Sequence, residues 1–283
     1  MKKIFKSIGK ALTYLLVYFG VYGLISGVLV AVLSFSLITE EKQTGRELDY
    51  NSFSIQLEEK LSDYLILGTL ISGVLTLVII SIVFSIRKKN VLEELNLFKF
   101  KTVGVIPIAL LGAGFNVFIS ILFSLIPFPE AWLSSYVDNS SNVTQGGIVS
   151  LLTAVIVAPV VEEVIFRGLV YTRLKNGFSL VLSAVISSVV FGVMHSTIIW
   201  AMYTFVLGLI LIWVFEKFQS LFACIILHTA FNAMGMVLSL LPELPDVFGW
   251  IFLIMGFLLI LISCLWINNI TKNKNNTNRI EKI

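Results

Sequence analysis

Charge is what this 283-residue chain has least of. Only 13% of its residues are Asp, Glu, Lys or Arg, and 57% are hydrophobic; a soluble domain carries about 25% charged residues. The shortage excludes a water-soluble globular domain. Cysteine is almost missing as well. Cys224 and Cys264 both fall in apolar stretches, so no disulfide framework exists. Cys224 stands one turn before His228 and reads as a small buried apolar residue. There is no internal repeat, no Gly/Ser linker and no separate soluble domain. The net charge of +3 gives no basic patch for nucleic acid.

What the chain has instead is long apolar blocks, with a mean hydropathy of +0.95. Each block is close to the 20 residues that a helix needs to cross a bilayer. The expected fold is all-α: a polytopic membrane helical bundle, one integral domain over residues 1–283. The expected spans are 11–38, 64–86, 103–126, 147–168, 178–195, 198–215, 221–240 and 247–267, about eight in all. Ser196-Thr197 leaves almost no loop between the fifth and sixth. Fusing those two would make a helix much longer than the membrane is thick. The first apolar stretch is far longer than a signal-peptide core and is read as a retained helix.

Basic residues set the orientation. With the N-terminus inside, sixteen of the 20 Lys and Arg lie in inner loops and tails, among them Lys2 to Lys10, Arg87 to Lys101, Arg173, Lys175 and Lys217. The outer loops hold only Lys42, Arg46 and Lys60, beside many acids. This positive-inside pattern places both termini in the cytoplasm and the protein in the cell membrane as a multi-pass protein. Residues 39–63 are expected as a polar outer loop with some helix near 55–61. Residues 89–101 are expected as a short helix on the inner leaflet, and 268–283 as a disordered cytoplasmic tail.

Against this background the polar residues inside the spans stand out. Glu162, Glu163 and Arg167 are the charges within residues 154–170, and ionised groups in hydrocarbon mark a functional site by default. At i,i+4 on a helix, Glu163 can pair with Arg167, whose guanidinium stays charged in a dry site. Glu162 projects elsewhere without a local cation, as a general base requires. Pro159, one turn earlier, withholds a backbone hydrogen bond. The two histidines of the chain close or interrupt apolar runs: His195 ends one, and His228 with Asn232 shares a face of another. Two donors on one face suit a developing oxyanion; interhelical hydrogen bonding is the plainer use of the same pair. For the charges the plainer use is a network that locks helices together. Asn116, alone in the third span, reads as packing.

Glu162-Glu163-Val-Ile-Phe-Arg167 matches E-E-x-x-x-R, Phe191-Gly-Val-Met-His195 matches F-x-x-x-H, and His228-Thr-Ala-Phe-Asn232 matches H-x-x-x-N. In this order the three motifs resemble the CPBP (CAAX protease and bacteriocin-processing, or Abi) family, with a catalytic core over 150–240. The resemblance implies an eight-helix intramembrane endopeptidase. Glu162 and His195 would activate water, and His228 with Asn232 would form the oxyanion hole. The partners implied are the bilayer and a membrane-associated peptide or protein substrate, in bacteriocin immunity or peptide maturation. No cofactor is favoured. Zinc stays open as an alternative, with Glu162, His195 and His228 as its three ligands. A non-catalytic membrane scaffold or regulator and a proton-coupled transporter are the competing functions. The oligomeric state is not encoded legibly. Helical rise puts Glu162 near the inner face and His195 far from it. The two are therefore expected to meet by displacement or tilt of the fifth helix, at a cavity open to the cytoplasmic side.

Overall fold

Inside a bilayer every backbone N–H and C=O needs a partner within the protein, so apolar runs of this length become helices. A computed structural model describes residues 1–45, 49–98, 100–145, 147–242 and 245–280. It is 87% helical, with no strand among the described residues. The order is α1 (Lys2–Thr44), α2 (Tyr50–Ile86), α3 (Val91–Glu94), α4 (Val105–Ser124) and α5 (Glu130–Gln145). Then come α6 (Gly147–Leu174), α7 (Leu180–Val193), α8 (Ile198–Phe218), α9 (Leu221–Ser239) and α10 (Asp246–Ile280). The protein is a multi-pass membrane bundle.

Among the described residues seven helices are long and apolar enough to cross a membrane. The fifth expected span is the exception. α7 has 14 residues, about 21 Å of helix against a hydrocarbon core of about 30 Å. The break after it is as sharp as Ser196-Thr197 suggests: the Thr197 hydroxyl accepts from Trp200 N at 3.1 Å and starts α8. α1 and α2 correct the expectation in the other direction. They continue through most of the polar 39–63 stretch, where Lys60 Nζ lies 3.4 Å from Glu40. Adding residues to an existing helix is cheap, and Glu, Lys and Gln favour it. Gly45, at φ 66, ends α1, and Asp49 caps α2 by accepting from Ser52 N. The same cheapness explains α10, which runs helical to Ile280 through residues expected to be disordered; 281–283 lie outside the described residues.

Two ends can be distinguished by topology. The basal end carries the basic connections after α2, α6 and α8. The distal end carries the α1–α2 turn, α5 and the turn at 194–197. At the basal end, only Val91–Glu94 of the expected surface helix is helical. Leu95 is buried there, against Gly168 of α6. Leu221 N donates to Asn96 O at 2.9 Å, tying the loop to the start of α9. The segment closes the bundle from below, while Leu92 and Phe98 remain exposed.

Lipid supplies no hydrophobic drive between helices, so their association depends on close packing of small residues. α4 touches α9 at Gly112, where a Cβ would stand 2.2 Å from the Leu227 carbonyl oxygen. Leu227 precedes His228, so this contact helps fix the histidine's depth. α7 meets α8 at Gly192, where a Cβ would come within 2.8 Å of Ala201 O. Asn116 is buried and faces Gly235 of α9, a packing position.

Candidate active site

α6 is the helix that presents the charges, and it is not a regular α-helix. Thr153–Val157 and Val164–Tyr171 are π-helical, flanking the α-helical turns that carry Glu162 and Glu163. π-segments inside α-helices recur at functional sites because they re-aim side chains. Here Ala158 N bonds to Thr153 O, five residues back. By the same pattern Ala154 O would receive the N–H of residue 159, which is Pro159 and has none. Asn232 of α9 fills the gap: its Nδ2 donates to Ala154 O at 2.8 Å.

Below that bond lies a chain of charged groups. Glu163 is fully buried, and its Oε1 accepts from Arg167 Nη1 at 2.8 Å, the i,i+4 pair. The same oxygen lies 2.8 Å from His228 Nδ1. An ionised carboxylate only accepts, so Nδ1 is the donor and the ring orientation is set. The other ring nitrogen, Nε2, stands 3.7 Å from Glu162 Oε2. His228 thus bridges the two glutamates. Arg167 Nε and Nη2 make no hydrogen bond in the protein. The guanidinium instead lies over the Phe191 ring, Cζ 4.1 Å from its centroid, a cation–π contact that offsets part of its desolvation.

Phe191 is the group that reading the sequence left without a role. Its ring meets Phe166 and His195 at 5.0 Å and His228 at 5.9 Å, all near edge-on. It is buried completely and separates the two histidines. The signal available was its position four residues before His195, on the same helical face. His195 Nδ1 lies 2.9 Å from Phe191 O.

Glu162 and His195 line a cavity of about 480 Å³. Glu162 keeps 21% of its side chain exposed there. Tyr18 and Tyr22 of α1, Asn139 of α5, Ser196 and Trp200 form other parts of the wall. The Ser196 hydroxyl donates to Asn139 Oδ1 at 3.2 Å across the distal end. The depth mismatch is therefore resolved differently from the expectation. Glu162 sits mid-way along α6, α7 is short, and the cavity lies toward the distal end instead of the basal, basic one. Glu163 and His228 stand behind its wall, and no direct ion pair joins Glu162 to His195.

Residues 144–234, the segment that holds Glu162, Glu163, Arg167, His195, His228 and Asn232, match the family model described as Type II CAAX prenyl endopeptidase Rce1-like. This segment is similar to an Rce1-like domain. The match supports an intramembrane CAAX protease-type function for the membrane bundle that carries it. No curated protein and no solved structure matches the chain. The matched segment begins just before α6 and ends within α9. It holds α6, α7, α8 and most of α9, while Tyr18, Tyr22 and Asn139 of the cavity wall lie outside it.

A zinc centre would need about three protein donors converging on one point. Among the described residues no three His, Cys, Asp or Glu side chains do so. Of the residues named for zinc, His228 has Nδ1 held by Glu163 and His195 has Nδ1 against a backbone carbonyl, contacts that leave Nε2 of each ring as the nitrogen a metal would use. Cys224 takes no part: it is buried and its thiol donates to Leu211 O at 3.4 Å.

Proposed function

We propose that the protein is a glutamate-type intramembrane endopeptidase acting on a membrane-associated peptide or protein. Glu162 takes a proton from a water molecule in the cavity, with His195 as the second polar group holding that water. The water oxygen attacks the scissile carbonyl carbon. His228 and the second amide N–H of Asn232, set behind Glu162, stabilise the resulting oxyanion; because Nδ1 already donates to Glu163, His228 does so only with a proton on Nε2 as well. As the C–N bond breaks, Glu162 returns the proton to the leaving amine, leaving a carboxylic acid and a free amine. Glu163 and Arg167 hold His228 in place and do not touch substrate. Bacteriocin immunity or peptide maturation is the setting in which such cleavage would operate.

The observation that carries this reading is the division of labour between adjacent glutamates. Glu163 is sealed and doubly bonded, while Glu162 alone reaches the cavity that His195 also lines. General-base assistance contributes about 10²–10⁴ in rate. Purified protein in detergent, offered a pooled peptide library, should therefore cleave as wild type and lose at least about a hundredfold in rate as Glu162→Gln. Equal cleavage by the two forms would overturn the assignment.

A further inference from the structure

One element of the cavity wall is too polar to cross the membrane. α5 is rich in Ser and Asn and carries Glu130 and Asp138, and it closes the distal side of the cavity with Asn139 and Val143. It adds nothing to the core: none of its described residues is buried, whereas all eight of Val164–Tyr171 in α6 are. Its far half is held by polar and edge contacts. Asn139 Oδ1 accepts from the Ser196 hydroxyl at 3.2 Å, and Tyr136 meets Trp200 edge-on with ring centroids 6.3 Å apart. Val143 O accepts from the Ser150 hydroxyl at 2.5 Å. The start of α5 is anchored instead, by the Phe128 ring set between Phe123 and Trp132. Past its end Gly147 takes φ 69, a left-handed turn that glycine makes without steric cost. An element with little buried surface and few core contacts opens at low free energy, as active-site lids do.

We propose that α5 is the lid of the Glu162 cavity. With its start fixed at Phe128, it swings away from Ser196 and Trp200 and returns, and the cavity exchanges its contents with the distal surface only while it is open. Ser196 adjoins His195, so the closed lid also fixes the backbone that carries that imidazole. As regulation of cleavage this rests on the endopeptidase reading; as control of access to the cavity it does not.

In the full chain in detergent, with the free Cys224 and Cys264 replaced by alanine, Asn139→Cys with Ser196→Cys allows the closed lid to be locked by oxidation. Access is read as amidation of Glu162 by a water-soluble carbodiimide and glycinamide at about pH 6, not far above the ordinary carboxyl range. Mass spectrometry follows it, with exposed Glu58 as the control. The oxidised pair should label Glu162 about tenfold more slowly than the reduced pair, or slower still, with Glu58 unchanged. A reagent that enters through a local opening reacts in proportion to the open population. Tyr136→Ala, made without the cysteine pair, loosens the lid and leaves the core alone; it should speed labelling of Glu162 several-fold. Equal labelling in the two redox states, no gain in Tyr136→Ala, failure of the pair to oxidise, or no labelling of Glu162 in the reduced form would overturn the proposal. Cleavage measured on the same samples separates the two readings. A lock that stops labelling in a protein that cleaves nothing would leave the lid standing and count against the peptidase. Peptide cleavage at the same rate in the oxidised and reduced forms would do the reverse.

Discussion

Glu162 and Glu163 are chemically identical and adjacent, yet one is a buried tie and the other faces a cavity. The difference predicts opposite phenotypes. Glu163→Ala leaves Arg167 as an uncompensated buried charge and His228 without its orienting acceptor. Removing one partner of a buried pair costs about 3–5 kcal/mol, so unfolding in denaturant should shift strongly. Glu162→Gln keeps the volume, and the residue is partly exposed; its stability should stay within about 0.5 kcal/mol of wild type, as for other substitutions away from buried networks. Comparable losses of stability in both would mean that Glu162 is also a packing charge. The pairing of Glu163 with Arg167 was legible at i,i+4. His228 joining the same carboxylate was not, because the two lie 65 positions apart on different helices.

At the scale of the element, α6 is held in an irregular form by a bond from outside it. If Asn232 compensates the donor that Pro159 lacks, the two residues are coupled. Asn232→Ala should cost about 1–3 kcal/mol, the usual penalty for stranding a buried polar group. In a Pro159→Ala background the N–H returns and the cost of Asn232→Ala should shrink by about half or more, measured as a double-mutant cycle on thermal unfolding. Strict additivity would show that Asn232 acts independently of the proline. The basal segment gives a pH test. Partial burial raises the Glu94 carboxyl, but the Lys89 hydrogen bond and the charges of Arg173, Lys89 and Lys10 outweigh it and hold the group below its ordinary 4.5. A carboxylate depressed on folding stabilises above its unfolded value, and the benefit fades as pH falls through the folded one. Wild type should therefore exceed Glu94→Gln in stability at pH 6 and lose that margin below about pH 4.

For the whole molecule, the basic loops predict that the basal end faces the cytoplasm, and hence that the Glu162 cavity lies toward the opposite face. With Cys224 and Cys264 replaced, Lys88→Cys should resist a membrane-impermeant maleimide in intact cells while Asp138→Cys is labelled. The inverse pattern would reverse the orientation and put the cavity on the cytoplasmic side.

Read alone, the sequence determined the class of the molecule. Apolar blocks of bilayer length admit only helices, and charges placed within them mark a site whatever the packing. It also singled out the groups of a candidate site, because Glu, Arg, His and Asn at i,i+4 share a helical face. It could not set depth, since rise per residue assumes regular helices. α6 contains two π-segments, and α7 is only 14 residues long. Tertiary structure alone decided which carboxylate was sealed, that Phe191 separates the histidines, and that the cavity lies distally. Each of these depends on contacts between helices far apart in the chain, where local periodicity carries no information.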